Sequence, residues 1–367
     1  MNTKKMRYVW FLVILCIFCL TLFLARTRSK VEMRNRIYHQ WNEHFVVSKG
    51  KESYVRTTND SNQTVVLSEA QSYGMLITVA AAKKGQAQQA DFDRLYQYYL
   101  NHRLEGTQLM SWKQTIRNGK AKDEDHNATD GDLYIAYALL KAAQQWPKQA
   151  KDYQAQAKAI LEDILAHNYN EETGVLTVGN WANQDSEFYH LMRTSDTLPA
   201  QFQIFYEVTK DSKWLDIKEK MLQQLQTISS QTKTGLLPDF IWVDEQGTRV
   251  ADPKTIESKY DGAYSYNACR LPYNLVQSKD ATSQKLVKKM LNFFKSQRNL
   301  YAGYDLKGKA LNNHQAASFL APIVYASEHE KGYLKLVQQN KYIFTQDLPL
   351  NNYYDATMTT MIALELF

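Results

Sequence analysis

The chain has 367 residues, of which 44% are hydrophobic, so it has the length and composition of a globular protein with a sizeable core. Its formal net charge of +6 comes from the N-terminal end, since residues 1–36 hold 8 of the 44 Lys and Arg residues but only one acid, Glu32. The remaining chain carries 36 basic and 37 acidic residues. This balance gives no electrostatic footprint for nucleic acid, and no nucleic-acid partner is expected.

The first predicted element is a membrane-spanning helix. Residues 8–25 are uncharged and lie between two basic clusters. As a helix they would span roughly 27 Å, which is enough for the hydrocarbon core of a bilayer. A cleaved signal peptide is the alternative, but the following segment ARTRSK offers no good A-x-A cleavage site. We therefore expect an uncleaved, single-pass signal anchor in the cell membrane.

The orientation of this anchor does not follow from its flanking charges. More basic residues follow the span than precede it, so the positive-inside rule does not favour a cytoplasmic N-terminus. We expect a cytoplasmic tip because few residues precede the span and because the function expected of the remaining chain belongs outside the cell. The catalytic domain would then be extracellular, or secreted if the segment is cleaved.

Cysteine usage excludes thiol-based sites in the soluble part. Cys16 and Cys19 lie in the apolar span, and only Cys269 lies outside it. No disulfide and no zinc site built from thiols can form there.

The rest of the chain is predicted to be helical. Residues 131–146 and 150–167 place apolar side chains at helical spacing, and Pro147 separates them as in a helical hairpin. Similar periodic runs lie at 37–46, 67–84, 90–102, 195–210, 212–231, 263–277, 282–297, 312–326, 330–341 and 351–366. No alternating strand pattern of comparable strength is present. We expect a domain over 1–36 with the anchor and one all-α domain over 37–367, a closed toroid of paired helices.

Long connections alternate with short ones, and acidic residues recur where the long ones meet a helix. The long connections are 47–65, 103–129, 168–194, 233–262 and 298–311. Glu69 and Asp130 each begin a predicted helix, where an acid also complements the helix dipole. Several acids at one rim nevertheless suit glycoside hydrolysis, which needs two carboxyls flanking the bond.

Several ordered motifs resemble glycoside hydrolase family 8. The segment ATDGDLYIAYALLKAAQQW at 128–146 fits that family's signature, and SEAQSYGM at 68–75 looks like its general-acid segment. Further similar segments are LMSWK at 109–113, GLLPD at 235–239, YSYNACRLP at 264–272 and NNH at 312–314. The resemblance implies an (α/α)6 barrel, inverting hydrolysis of β-1,4-linked glycans, and neither a metal nor a cofactor.

Matched position by position, the resemblance also implies roles for individual residues. Glu69 would be the general acid, and Asp130 would hold and distort the sugar at the cleavage site. Trp112 and Tyr266 would be aromatic contacts to the substrate, with Arg270 as a structural or sugar-binding partner. The remaining substrate-binding candidates are Tyr73, Asn267 and Asp239.

The general base departs from the commonest family pattern. Many members have an Asp where this chain has Asn267, and a neutral amide cannot take a proton from water. The sequence resembles a subgroup in which a Glu on an inserted loop, ten residues earlier, is the base. Glu257 has that spacing, and Asp239 and Asp261 are the alternatives. Inversion predicts acid and base carboxyls about 6.5–9.5 Å apart.

Three hypotheses follow for function. The first is an endo-acting hydrolase of a β-1,4-glucan, a mixed-linkage glucan or a chitosan-like polymer, which could trim an exopolysaccharide beside a membrane synthase. The second is a glycan-binding or assembly protein that lost catalysis with the Asp. The third, a polysaccharide lyase, would need a Tyr or His base, and the segments around Glu69 and Asp130 argue against it.

Overall fold

The computed structural model describes residues 3–60 and 62–367. Residues 1–2 of the predicted cytoplasmic tip lie outside the described residues. Within the described part, twelve α-helices confirm the mainly helical prediction. They are α1 (Thr3–Phe45), α2 (Ser68–Ala82), α3 (Gln89–Asn101), α4 (Thr129–Gln145), α5 (Ala150–His167), α6 (Pro199–Thr209), α7 (Lys213–Ser230), α8 (Leu271–Val276), α9 (Ala281–Ser296), α10 (Ala317–His329), α11 (Leu334–Asn340) and α12 (Tyr353–Leu366).

The helices form the predicted (α/α)6 barrel. The even-numbered helices α2 to α12 form an inner ring, which closes where α12 packs against α2. Each odd-numbered helix lies outside the ring against an inner neighbour, and α1 takes the place beside α12. The chain thus alternates between inner and outer layers, as predicted from the helical hairpins.

The two layers differ in how their side chains are buried. The inner helix α2 buries residues on all its faces, because it packs on both the barrel interior and the outer ring. The outer helix α9 buries one stripe, which includes Leu286, Met290 and Phe294, and exposes Lys285, Lys288 and Lys295. A helix that is apolar on one side only is the pattern expected at a protein surface.

Eight short strands occur in the long connections, where loops were predicted. They form three antiparallel sheets: β1 (Val46–Lys49) with β2 (Glu52–Val55), β3 (Thr64–Leu67) with β4 (Lys113–Arg117) and β5 (Lys120–Asp123), and β6 (Leu191–Arg193) with β7 (Phe240–Asp244) and β8 (Gly247–Val250). Strands of three to five residues are too short to show an alternating pattern that stands out in a sequence.

Several predicted helices begin later than expected, and the difference is largest for the helix predicted over 263–277. The apolar periodicity predicts a helix over 263–277, but regular helix begins only at Leu271, after a 3-10 turn from Ala268 to Arg270. The carboxylate of Asp239 accepts hydrogen bonds from the backbone N–H groups of Ser265 and Ala268. These bonds hold the preceding backbone in a turn, so Tyr266 and Asn267 project from the rim of the barrel.

Helix α1 is continuous from the apolar segment into the barrel. By length and composition it is the one helix among the described residues that could cross a membrane, and a signal sequence would pass the same test. Its apolar N-terminal part is exposed, whereas Ile37 and Trp41 are fully buried in the core. The predicted division between residues 36 and 37 therefore falls inside a single helix.

Candidate active site

The N-terminal ends of the inner helices meet in one cavity of about 280 Å³. Glu69 is in the first turn of α2, Asp130 is in the first turn of α4, and Tyr354 is in the first turn of α12. The long connections add further side chains to the same cavity. It is lined by Leu67, Ser68, Glu69, Trp112, Ala128, Asp130, Arg193, Glu257, Tyr266, Asn267 and Tyr354.

Gly131 lets the ends of α2 and α4 approach each other closely. A Cβ atom at this position would lie 2.1 Å from Oγ and 3.0 Å from the backbone carbon of Ser68. Neither atom can move far, since Ser68 itself is buried at the start of α2. The glycine of the ATDGD segment is thus required for packing, and it brings Glu69 and Asp130 together.

Arg270 lies beneath the cavity and connects four elements of the barrel. Its Nη1 donates to Oε2 of Glu69 at 2.6 Å and to Oδ2 of Asp130 at 3.1 Å. Its Nη2 donates to Oγ of Ser195 at 2.7 Å and to Oδ1 of Asn267 at 3.2 Å. Because Arg270 is only 1% exposed, these bonds form in a desolvated environment, where charged pairs are strongest.

The two carboxyls held by Arg270 differ in proton affinity. Burial raises the pKa of Glu69 from its ordinary value of 4.5 to about 7, although Arg270 opposes this shift. Burial also acts to raise the pKa of Asp130, but the guanidinium groups of Arg193 and Arg270 outweigh it, and that pKa is lowered. The site therefore pairs a carboxyl that holds a proton near neutral pH with a neighbour that stays ionised.

Arg193 is a second buried cation at the site, and it was not among the residues predicted from the sequence. Its Nη1 lies 3.3 Å from Oδ1 of Asp130 and 3.5 Å from Oδ2 of Asp196, and its Nη2 lies 3.3 Å from Oε1 of Glu257. Arg193 thereby draws the loop that carries Glu257 towards the rim of α4.

Glu257 is held at the cavity by two donors. Nδ2 of Asn267 donates to its Oε2 at 2.8 Å, and Arg193 donates to its Oε1. The side chain remains 44% exposed, so solvent water can reach it. The connections from Glu69 to Arg270, to Asn267 and then to Glu257 link the two glutamates through intervening side chains.

The alternative bases, Asp239 and Asp261, are buried away from the cavity. Asp261 accepts backbone hydrogen bonds from Ile256, Glu257 and Ser258 at 2.7–3.0 Å. Asp239 caps the turn before α8, and burial raises the pKa of Asp239 to about 8. Both carboxylates organise backbone, and neither lines the cavity.

The aromatic candidates divide into two groups. Trp112 and Tyr266 line the cavity, and Tyr266 is 43% exposed, which suits a platform for a sugar ring. Tyr73 was predicted to bind substrate, but it is fully buried under Arg270, and its hydroxyl group is 3.0 Å from Nη1 of that residue. Tyr73 and Arg270 thus support the cavity from beneath.

An aromatic row that was not predicted continues from Trp112. Trp112 stacks on His126, which contacts Trp181, and Trp181 in turn contacts Phe188. Phe188 stacks on Trp242 at a ring distance of 6.3 Å. Of this row only Trp112 lines the cavity, whereas Trp181, Phe188 and Trp242 are half-buried and pack on a small apolar cluster that includes Leu191. Nothing in the spacing of these residues indicates that they lie together.

The acidic side chains do not form a metal site in the described residues. Within 3–60 and 62–367, no group of three His, Cys, Asp or Glu side chains is placed to hold a metal ion. The carboxyls at the cavity are instead paired with Arg193 and Arg270.

Comparisons with known proteins identify the family of this chain. The sequence profile of the glycosyl hydrolases family 8 matches residues 13–365. A β-glucanase of Niallia circulans is 31% identical over 298 residues, which cover 78% of this chain and 72% of the relative. An endoglucanase of Bacillus sp. (strain KSM-330) is 30% identical over 275 residues, which cover 71% of this chain but only 58% of the relative.

The barrel itself is similar to that of a solved enzyme. The structure of a β-1,3-1,4-glucanase from Paenibacillus sp. X4 superposes with a TM-score of 0.84 at 25% identity, covering 93% of this chain and 92% of that one. Family profile, relatives and fold agree over nearly the whole barrel. The chain therefore belongs to the glycosyl hydrolases family 8 and is a glycoside hydrolase.

Proposed function

We propose that the protein is an inverting endo-hydrolase of a β-glucan that contains β-1,4 linkages, with Glu69 as general acid and Glu257 as general base. The observation that carries this proposal is the pair of glutamates at one cavity, linked through Arg270 and Asn267. Inversion requires two carboxyls with room for a water molecule between them, and carboxyls linked through two intervening side chains are compatible with that requirement.

Glu69 has the properties of a general acid. A pKa of about 7 leaves a large fraction of its carboxyl protonated near neutral pH. Because Oε2 accepts from Arg270, the proton for the glycosidic oxygen would be carried on Oε1. Proton transfer leaves a carboxylate next to Arg270, which stabilises the charge that develops as the leaving group departs.

Glu257 would take a proton from the attacking water. Its bonds to Asn267 and Arg193 orient the carboxylate, and its partial exposure gives water a route to it. The water would attack the anomeric carbon from the face opposite the leaving group, so a β-linkage would give an α-product. The bonds of Asp239 and Asp261 to buried backbone argue against either as the base.

Asp130 would bind the sugar at the cleavage site. It lines the cavity, and the nearby guanidinium groups of Arg193 and Arg270 keep it ionised. A carboxylate in that position can accept hydrogen bonds from sugar hydroxyl groups and favour the distorted ring. Trp112 and Tyr266 would stack on neighbouring rings of the chain.

The choice of a β-glucan rests on relatives. Two of them are a β-glucanase and an endoglucanase, and the solved enzyme of similar fold is a β-1,3-1,4-glucanase. A chitosan-like polymer is the main competing substrate.

We further propose that residues 1–36 anchor an extracellular catalytic domain, residues 37–367, to the membrane. The exposed apolar helix supports anchoring. The proposed substrate class supports an extracellular location, where the enzyme could trim an exopolysaccharide beside a membrane synthase.

The test is a panel of polysaccharides with two measurements. New reducing ends are measured on barley mixed-linkage glucan, carboxymethyl cellulose and chitosan, and the anomeric configuration of the first products is followed by proton NMR. We expect reducing ends from at least one β-glucan and initial α-anomers. Initial β-anomers would contradict inversion, and binding without any new reducing ends would favour the glycan-binding hypothesis.

A further inference from the structure

Helix α1 fixes which end of the barrel faces the membrane. It runs antiparallel to α12: Phe45 contacts Tyr353 at the start of α12, and Nε1 of Trp41 donates to Oγ1 of Thr357 at 2.9 Å. At the other end of the pair, Nη1 of Arg34 donates to the backbone oxygen of Phe367 at 2.9 Å. The apolar part of α1 therefore leaves the barrel at the C-terminal end of α12.

The active-site cavity lies at the opposite end. It is lined by side chains from the first turns of α2, α4 and α12, including Glu69, Asp130 and Tyr354. Tyr354 follows the residue that Phe45 contacts, so the cavity is level with the C-terminal end of α1 or beyond it. From Ala25, where the apolar segment ends, to Phe45 the helix rises about 30 Å.

The connection between the anchor and the barrel is short and helical. Helix α1 has no Gly or Pro from Arg26 to Phe45, and these are the residues at which helices usually kink. Arg28 and Glu32 form an i,i+4 ion pair at 2.7 Å. Nζ of Lys30 already lies 5.4 Å from the ring centroid of Phe367. Only about one helical turn separates the end of the apolar segment from the first contact with the barrel.

We infer that α1 acts as a rigid spacer, which holds the cleft facing away from the membrane and about 30 Å beyond the edge of its hydrocarbon core. A typical membrane-helix tilt of about 20° shortens this height only to about 28 Å. The substrates are then long polysaccharide chains that extend away from the membrane, and short saccharides attached to lipids in the same bilayer are excluded. This inference rests on the proposed anchoring and deepens the proposed hydrolase function.

The test uses the full chain in phosphatidylcholine vesicles and a substrate of graded height. Oligosaccharides of the soluble polymer that the enzyme hydrolyses are coupled to a phospholipid in the same membrane through short or long poly(ethylene glycol) spacers. We expect hydrolysis with spacers that reach well beyond 30 Å, and a rate lower by about tenfold or more with spacers under about 15 Å, because a tether that cannot span two sites gives almost no effective concentration. Equal rates with both spacers would overturn the inference.

Two insertions between Ser29 and Lys30 separate rigidity from distance. A flexible Gly-Ser insertion of twelve residues should allow the barrel to tip and should restore hydrolysis of the short-spacer substrate. A matched helical insertion of the same length should not. If the flexible insertion leaves the short-spacer substrate uncleaved while the long-spacer substrate is hydrolysed, a rigid helix is not what excludes it, and the inference is wrong.

The same vesicles also test the two proposals on which this inference rests, hydrolase activity and membrane anchoring. Loss of hydrolysis of the soluble polymer would overturn the hydrolase proposal, and failure of the protein to float with the vesicles would overturn anchoring. Either result would also remove the basis of the spacer inference. If the protein floats with the vesicles and hydrolyses the soluble polymer, the dependence of the hydrolysis rate on spacer length alone decides whether the spacer inference is correct.

Discussion

Asn267 donates a hydrogen bond from Nδ2 to Oε2 of Glu257 at 2.8 Å, while its Oδ1 accepts from Arg270 at 3.2 Å. The amide uses its donor and its acceptor on two different charged groups. A carboxylate at this position could still accept from Arg270, but it could not donate to Glu257. The amide of Asn267 is therefore matched to a glutamate that reaches it from the preceding loop.

This relationship predicts the effect of Asn267→Asp. Two carboxylates would face each other, and one of them would retain its proton to higher pH. We expect kcat/KM at neutral pH to fall by about tenfold or more, since hydrogen bonds to charged groups contribute about 1.5–3 kcal/mol. The acidic limb of the pH–rate profile should move to higher pH.

The control for that prediction is the double variant Glu257→Gln with Asn267→Asp, which removes the repulsion. Recovery of activity above that of Glu257→Gln alone would show that a carboxylate introduced at position 267 can serve as the base. An unchanged pH profile in Asn267→Asp would contradict the contact between Asn267 and Glu257.

Asp261 positions the loop that carries Glu257. Its carboxylate binds three consecutive backbone N–H groups, from Ile256 to Ser258. Asp261→Ala should lower kcat by roughly 10- to 100-fold, because losing such bonds costs about 1–3 kcal/mol of loop order. A residue that acts as base would instead abolish the acidic limb, so a full pH profile distinguishes the two roles. Asp261→Asn, which keeps one acceptor, should recover part of the rate.

The pKa of Glu69 predicts the alkaline limb of the pH profile. The general acid must be protonated in the free enzyme, and the pKa of Glu69 is about 7. Because the shift is upward, the active form persists to neutral pH and is lost above it. We expect kcat/KM on polysaccharide to fall about tenfold per pH unit above that point.

A substrate with an activated aryl leaving group gives the control, because its departure needs little protonation. With that substrate the alkaline limb should flatten, and Glu69→Gln should lose much less activity than on polysaccharide. An alkaline limb that begins near pH 5 on polysaccharide would show that Glu69 is not perturbed as described.

Gly131→Ala should disturb both stability and activity. The added Cβ would lie 2.1 Å from Oγ of Ser68, and overpacking of this kind costs about 1–3 kcal/mol. Thermal unfolding should show a lower Tm, and kcat should fall because α2 shifts with Glu69. Gly332, at a φ of 96° and with open space around an added Cβ, gives a matched control: Gly332→Ala should lower Tm through backbone strain and affect kcat much less. A wild-type Tm in Gly131→Ala would contradict the close approach of the two helices.

The sequence predicts the ring of helices well because each hairpin has its own periodic signal, as α4 and α5 show on either side of Pro147. The motifs at the starts of α2 and α4 also predict that Glu69 and Asp130 lie at the same rim of the barrel. Arg193 could not be found in this way: it lies at the end of a long connection, and its contact with Glu257 spans 64 residues. An ion pair between two loops that are far apart in the chain produces no local sequence pattern from which it could be predicted.

Burial was the other property that the sequence did not indicate. Tyr73 was predicted to contact substrate, and Arg270 to be a structural or sugar-binding partner, yet both are closed off beneath the cavity. Whether a polar side chain of an inner helix faces the cavity or supports it depends on the curvature of the barrel, which no single segment encodes. The continuity of α1 was hidden for a related reason, since the change from lipid-facing to core-facing residues occurs within one unbroken helix.

The most direct test of the acid–base pair is the turnover of the β-glucan by Glu69→Gln, Glu257→Gln and Asp239→Asn, measured as new reducing ends alongside binding of the same polymer. We predict that both glutamine variants bind the polymer and lose at least about 100-fold in kcat, the scale of general acid–base catalysis. The Asp239→Asn variant retains Glu69 and Glu257, so its kcat should fall far less. Turnover by Glu257→Gln near the wild-type rate would contradict the assignment of the base.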